Sequence, residues 1–380
     1  MRIKVSPLGW GVAAVGVAAA LLGRRLAWVE LTALGVGCLL LMVAGVVMAW
    51  GRNRYEVHLE LAERRVPVGQ PVVARLETTA ERRSLPARVD LRVGKAPVSV
   101  WLPSLAAGAT YAELFPLPTD HRAAIPVGPV AIRRGDPLGL VAREQQYADV
   151  LELLVHPRIV SLADVRPGLL RDLEGQSTRD LSDADLSFHA LREYAPGDDR
   201  RMIHWRTSAR TGTLMVRQFE DTRRTRTTIA LATHEDDYAD PEEFEMAVSV
   251  AASLALHVLR DERELTFLAG PRRFGAVIPS AVLDECARVA TGSTGTRTGD
   301  LPYRVAAEPA TSSVAFLVGG STAAADERRA AVRHVPTGLR VVAVSCALDA
   351  DVEVRQDGMA SLTQIGALED LPRLMHRVLL

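Results

Sequence analysis

Two apolar runs near the start of the chain, Val5 to Leu22 and Leu26 to Trp50, are separated only by the polar triplet Gly23-Arg24-Arg25. At about 1.5 Å per helical residue, each run spans or nearly spans a hydrocarbon core of about 30 Å. A cleaved signal peptide would account for the first run alone. The second comes at once after it, and the triplet offers no small-residue cleavage site. Residues 1–54 are therefore expected to form a transmembrane hairpin. Glu30 is the one awkward charge, and it lies close enough to the turn to reach the interface beside Arg24 and Arg25. A hairpin leaves both of its ends on one side. There Arg2, Lys4, Arg52 and Arg54 outnumber the two arginines of the turn, which places the large C-terminal region in the cytoplasm of a multi-pass cell-membrane protein.

Everything after the hairpin must fold in water. The 380-residue chain carries 45 basic against 46 acidic side chains, so no global field draws it to nucleic acid or to an acidic substrate. Apart from Lys4 and Lys95 every basic residue is arginine, which lowers the meaning of any local arginine cluster. Cys38, Cys286 and Cys346 are widely separated and show neither a disulfide framework nor zinc-ligand spacing.

From Tyr55 to Arg158 the sequence breaks into short alternating runs, "YEVHLEL", "PVVARLET", "ARVDLRV", "VSVWLP", "AAIPVGPVAIRR" and "VLELLVHP", punctuated by Pro and Gly. Residues 55–158 are expected to form an all-β, antiparallel sandwich of about seven strands. Trp101 and His121 read as core and turn residues. "RRGDPLGL" reads as a tight turn rather than an adhesion tripeptide. Residues 159–190 form a polar connector. Beyond residue 227 strand and helix alternate: "RTTIALAT", "DPEEFEMAVSVAASLALHVLR", "ELTFLAG", "SAVLDECARVA", "SVAFLVGG", "AADERRAAVRH", "LRVVAVSC" and "ALEDLPRLMHRVL". Alternation of this kind predicts an α/β, doubly wound parallel sheet over residues 227–380. Asp240 is its clearest helix cap, with Pro241 at the first helical position and Glu242 and Glu243 in the first turn.

Between connector and sheet, residues 191–226 open with "LREYAPGDDRRMIHWRTSARTGTLMVRQFE". Pro196, Gly197, Asp198 and Asp199 read as a turn whose carboxylates cap a helix over "RRMIHWRTSAR". Ile203, Trp205 and Ala209 supply its apolar contacts, and Gly212 stops it. His204 and Ser208, four apart with Asp198 or Asp199 nearby, raise a hydrolase reading, but the chain has no nucleophile elbow of the G-x-S-x-G type. Arg192, Arg200, Arg201, Arg206, Arg210 and Arg217 around Tyr194 and Trp205 raise a nucleic-acid reading. Against it stand Glu193, Asp198, Asp199, Glu220 and Asp221, which cancel the field. What remains is an Arg–carboxylate hub, either internal or presented to a partner. Asp198, Trp205 and Arg206 are expected on its inside, with Arg200 and Arg201 available outside.

The spacing "REY-PGD-R-IHW-SAR-G-L-VR" resembles the signature of the domain of unknown function 58 family. That family joins N-terminal transmembrane helices, a β-rich segment and a von Willebrand factor A-like domain in the order seen here. The resemblance implies an accessory protein and a MoxR-type AAA+ ATPase as partner, and it supplies no reaction. The metal-ion-dependent adhesion site of von Willebrand factor A domains takes its first ligands from Asp-x-Ser-x-Ser. The matching positions here are Ala232, Thr233, His234, Glu235 and Asp236. Ala232 has no side-chain oxygen and His234 is a poor ligand for Mg²⁺, so no metal and no cofactor are expected. The acidic run Glu235, Asp236, Asp237 and Asp240 reads as a solvated loop feeding a helix. Together these readings make the chain a membrane-anchored, non-enzymatic scaffold or adaptor for a protein partner.

Overall fold

The computed structural model describes residues 2–50, 55–136, 138–162, 186–195, 198, 200–221, 226–276, 278–308, 312–323, 339–358 and 360–379. The chain divides into two compact units, Met1–Arg158 and Ile159–Leu380.

The first unit begins with strand β1 (Arg2–Val5), followed by helices α1 (Pro7–Leu26) and α2 (Val29–Trp50). Ser6 caps α1, its hydroxyl accepting from the amide of Gly9. The helix runs through Gly23, Arg24 and Arg25 instead of turning there. Ala27, at φ 52°, ends it. The physical reason is contact: a Cβ on Gly23 would lie 2.4 Å from Thr32 Oγ1, and one on Gly35 would lie 2.4 Å from the Ala20 nitrogen. The glycines are thus helix-contact residues that let the backbones approach. Both helices are long and apolar enough to cross a membrane, and only 22% and 11% of their apolar windows are buried. Trp10, Leu21, Leu22, Leu40 and Val47 face outward, more than half exposed. A core helix would hide such side chains, so this surface favours association with a membrane.

The remaining strands of the unit are β2 (Tyr55–Leu61), β3 (Arg65–Pro67), β4 (Val72–Ala80), β5 (Ala87–Val93), β6 (Ala96–Leu102), β7 (Thr110–Leu117), β8 (Ala123–Val127), β9 (Val130–Gly135), β10 (Val141–Ala148) and β11 (Leu151–His156). They build a three-stranded sheet, β2-β4-β7, and an eight-stranded sheet, β1-β10-β9-β5-β8-β11-β3 with β6 on β5. One core joins the two sheets. Tyr55, Leu76 and Phe115 from the smaller pack with Val89, Leu91, Val127 and Leu153 from the larger. Strand β4 alternates buried and less buried residues along its length, as a half-covered strand should.

The sandwich has more strands than the expected seven, and β3 runs parallel to β11. "AAIPVGPVAIRR" divides into β8 and β9 at Gly128, whose φ of +112° suits glycine. Within "RRGDPLGL", residues 133–135 belong to β9 and the turn follows: Asp136 accepts from the amides of Leu138 and Val141, and Gly139 takes φ +68°, while Pro137 lies outside the described residues.

In the second unit, β12 (Leu186–Glu193) and β13 (Met215–Asp221) pair antiparallel, with helix α3 (Trp205–Thr211) between them in sequence. The main sheet contains β14 (Arg226–Leu231), β15 (Glu264–Ala269), β16 (Arg272–Ala276), β17 (Val314–Gly319), β18 (Arg340–Cys346), β19 (Glu353–Asp357) and β20 (Ala360–Ile365), in the order β16-β15-β14-β17-β18-β20-β19. Its five central strands are parallel, and the edges β16 and β19 are antiparallel. Successive residues of β14, β15, β17 and β18 are buried, so both faces of the sheet are covered there.

Helix α4 (Pro241–Arg260) starts as the sequence dictates, with Asp240 accepting from Glu242 and Pro241 at the first position. Helices α5 (Pro279–Arg288), α6 (Leu301–Ala306) and α7 (Leu371–Leu379) complete the described helices. The helix expected over "AADERRAAVRH" and most of the connector lie outside the described residues. Leu162 belongs to this unit's core, and the Val160 amide donates to Ser253 Oγ at 3.0 Å.

Candidate functional site

In the signature segment, Glu193 pairs with Met215, and the Tyr194 amide extends the ladder to the Leu214 carbonyl at 2.8 Å. Asp198 then closes a turn of its own: Oδ2 accepts from the Ala195 amide at 2.8 Å. Helix α3 is capped by His204, whose Nδ1 accepts from the Thr207 amide at 3.3 Å and lies 2.8 Å from Thr207 Oγ1. The expected single helix is a 3₁₀ turn, Arg200–Met202, followed by α3. Its stop is as expected: Gly212 is left-handed at φ 76° and donates to the Ser208 carbonyl.

Three residues fasten α3 to β13. Ile203 is buried and bridges Val216. The His204 amide donates to the Met215 carbonyl at 2.8 Å. Ser208 Oγ donates to the His204 carbonyl at 3.1 Å and accepts from the Met215 amide at 2.8 Å. Ser208 therefore touches the backbone of His204, not its imidazole, and its hydroxyl is committed to structure.

The assignment of inside and outside needs correction. Trp205, expected within, is 65% exposed. Ala209 and Arg206 are exposed as well, together with Arg201 and Arg210. On a helix this short, fastening the 204/208 side to β13 turns 205, 206, 209 and 210 outward. Arg206 and Arg210 make no ion pair among the described residues, so the expected Arg–carboxylate lacing is absent at both. Glu193 is exposed and Tyr194 half-buried. Pro196, Gly197 and Asp199 lie outside the described residues, as do the side chains of Arg192, Arg200, Arg217, Glu220 and Asp221.

The second place to look is the carboxyl end of the parallel strands, where open α/β sheets bind ligands at the point of reversed strand order. Here that point is β14, with β15 on one side and β17 on the other. The loop after it is locked. Thr233 Oγ1 accepts from the Thr296 amide at 3.0 Å, and Tyr238 donates to the Ala232 carbonyl at 2.7 Å. His234 is buried, its Nδ1 accepting from the Asp236 amide and its Nε2 3.3 Å from Arg297. Arg297 also donates to the exposed Asp236 at 3.0 Å.

Asp237, expected on a solvated loop, is buried. Its Oδ2 accepts from the Thr298 amide at 2.5 Å and the Thr298 hydroxyl at 2.7 Å. Glu243 is buried too, accepting from the Ala239 amide and the Ser321 hydroxyl at 2.9 Å each. A Cβ on Gly320 would lie 2.1 Å from the Asp237 carbonyl oxygen, so the loops meet backbone to backbone. Asp237–Thr298 and Glu243–Ser321 are invisible in the sequence, since 61 and 78 residues separate the partners. Among the described residues no group of three or more His, Cys, Asp or Glu side chains is placed to hold a metal ion.

Residues 190–369 match the family model described as "Protein of unknown function DUF58". No curated protein matches the chain. Among solved structures, a β-glucosidase from Listeria innocua in complex with gluconolactone matches at 14% identity and a TM-score of 0.19, over 28% of this chain and 17% of that one. The same organism's β-glucosidase in complex with glucose matches at 13% identity and 0.17, over 27% and 17%. The chain thus spans under a fifth of those enzymes, and likeness at such scores carries no argument.

Proposed function

Given that the chain belongs to the DUF58 family through residues 190–369, we propose that it is a membrane-anchored, non-enzymatic scaffold or adaptor. In this reading α1 and α2 hold the chain in the bilayer, the sandwich is a spacer, and the second unit binds a protein partner through α3. One observation carries it: α3 presents Trp205 at 65% exposure beside Arg206 and Arg210, while Ile203 and Ser208 fix its other side to β13. Tryptophan and arginine are the residue types that dominate interface energetics, and a fixed backbone lowers the entropy lost when they dock.

The order β16-β15-β14-β17-β18-β20 with an antiparallel β16 supports reading the second unit as von Willebrand factor A-like. Ala232 and His234, together with the committed oxygens of Thr233 and Asp237, support a metal site that has degenerated. A MoxR-type AAA+ ATPase is the partner we propose to test, with the C-terminal unit on the cytoplasmic side. The full chain, immobilised in detergent, should retain such a purified ATPase. Trp205→Ala and Arg206→Ala should each weaken retention about tenfold or more without lowering the melting temperature. Unchanged retention by both variants would remove α3 as the docking face. No retention by the wild-type chain would remove that partner.

A further inference from the structure

The first unit contains a cavity of about 770 Å³ where the start of α1 meets the larger sheet, a size within the usual range of small-molecule pockets. Its walls carry three cations, Lys4, Arg88 and Arg133, and the apolar side chains of Pro7, Leu85 and Trp101. Strand register places these groups. Arg88 on β5 lies directly opposite Trp101 on β6 and directly opposite Arg133 on β9, so all three share one face of the sheet. Like charges directly opposed across antiparallel strands are destabilising. Arg88 is steadied by Asp90 at 3.1 Å and Ser99 at 2.8 Å, and Lys4 by Glu144 at 2.7 Å. Arg133 makes no ion pair among the described residues. The one carboxylate in the wall, Asp136, is turned to the amides of Leu138 and Val141. Trp101, expected in the core, is instead 72% exposed, an arrangement that needs a reason for so large a ring.

The level of the cavity supplies that reason. Ser6 and Pro7, the cap and first residue of α1, are part of its wall. If the hairpin lies in a bilayer, this is where headgroups begin. Cations and tryptophan are the side chains that interface favours. We propose that the cavity binds the headgroup of an anionic phospholipid, its phosphate between Arg88 and Arg133 and its glycerol end against Trp101 and Leu85. The site rests on the membrane reading of α1 and α2. The anion would relieve the Arg88–Arg133 opposition, and guanidinium groups suit phosphate oxygens.

The test takes the full chain first through alkaline carbonate extraction of membranes, then into nanodiscs of phosphatidylcholine with phosphatidylglycerol. Lipid retained on the protein is counted by native mass spectrometry. Phosphatidylglycerol should be enriched over phosphatidylcholine by about tenfold, because both lipids bring a phosphate but only the second brings a choline cation to a wall that already carries Lys4, Arg88 and Arg133. The Arg88→Gln/Arg133→Gln double variant should lose the preference. Arg133→Lys, which keeps the charge, should retain part of it, and Lys95→Gln, exposed and away from the cavity, should change nothing. Release by carbonate overturns the membrane reading and the site with it. Firm insertion with equal retention of both lipids, or a preference that survives the double variant, overturns the site alone. Abolition of the preference by millimolar inorganic phosphate would show a soluble-phosphate pocket instead.

Discussion

Ser208 donates to the His204 carbonyl and accepts from the Met215 amide, so removing its hydroxyl strands a half-buried backbone donor. Ser208→Ala should therefore destabilise the protein by about 1–3 kcal/mol, whereas exposed Trp205→Ala should stay within about 0.5 kcal/mol. Thermal melts of the two variants side by side decide this, and the reverse ranking would mean that α3 is turned the other way. Asp237→Ala should cost a similar 1–3 kcal/mol, roughly, by leaving the Thr298 amide and hydroxyl without their acceptor. His257 gives a prediction in pH. Burial lowers its pKa below the ordinary 6.5, opposed by Asp261 and aided by Arg260 and Arg263. A lowered pKa on a base means that the unfolded chain takes up the proton first. Stability should then be unaffected above about pH 6.5 and fall as pH drops below it, toward the folded-state value. Urea midpoints at pH 7 and pH 5 should differ less for His257→Gln than for the wild-type chain.

The contact between α1 and α2 depends on particular glycines, not on apolar character in general. Gly35→Val would drive a side chain into the Ala20 backbone, whereas a Cβ added at Gly37 would meet nothing within 4 Å and Gly37→Val should be tolerated. Melting in detergent should fall by several degrees for the first and hardly move for the second; equal effects would place the crossing elsewhere. Legibility follows the same division between local and distant causes. The two apolar runs, β2, β5 and the Asp240-Pro241 helix start can be read because short-range pattern settles them. Strands β7 and β10 cannot: β10 reads "VAREQQYA", and most of its residues are only half-buried, so no clean alternation marks it. Strand β3 has three residues and takes its place from β11, far along the chain, with Arg65 beside Leu154. The orientation of α3 is hidden because Trp205 promises burial. The decision lies instead with Ser208 and Ile203, whose partners come from β13.

For the whole molecule, the closed loops around β14 carry a prediction about ions. With Thr233, Asp237 and Glu243 committed to internal donors, calorimetric titration with Mg²⁺ should reveal no site tighter than about millimolar. Micromolar binding lost on changing Asp236 would show that other ligands have taken over.

The antiparallel pairing of β1 with β10, in which Lys4 faces Ala142 and Val5 faces Val141, ties a segment before the hairpin to one long after it. Both segments belong to one sheet, so the chain between them makes a round trip, and a bilayer entered by α1 must be left by α2 on the side of entry. If α1 and α2 insert as proposed, the sheet acts as a parity check on insertion: an odd number of crossings would leave β10 without its neighbour. During synthesis β1 must wait through both helices and most of the sandwich before its partner exists, so the register of the larger sheet can close only after both helices have been placed. Reporters fused before Arg2 and after Leu379 should accordingly report the same compartment, whichever it is. Opposite compartments would mean that these two strands never meet.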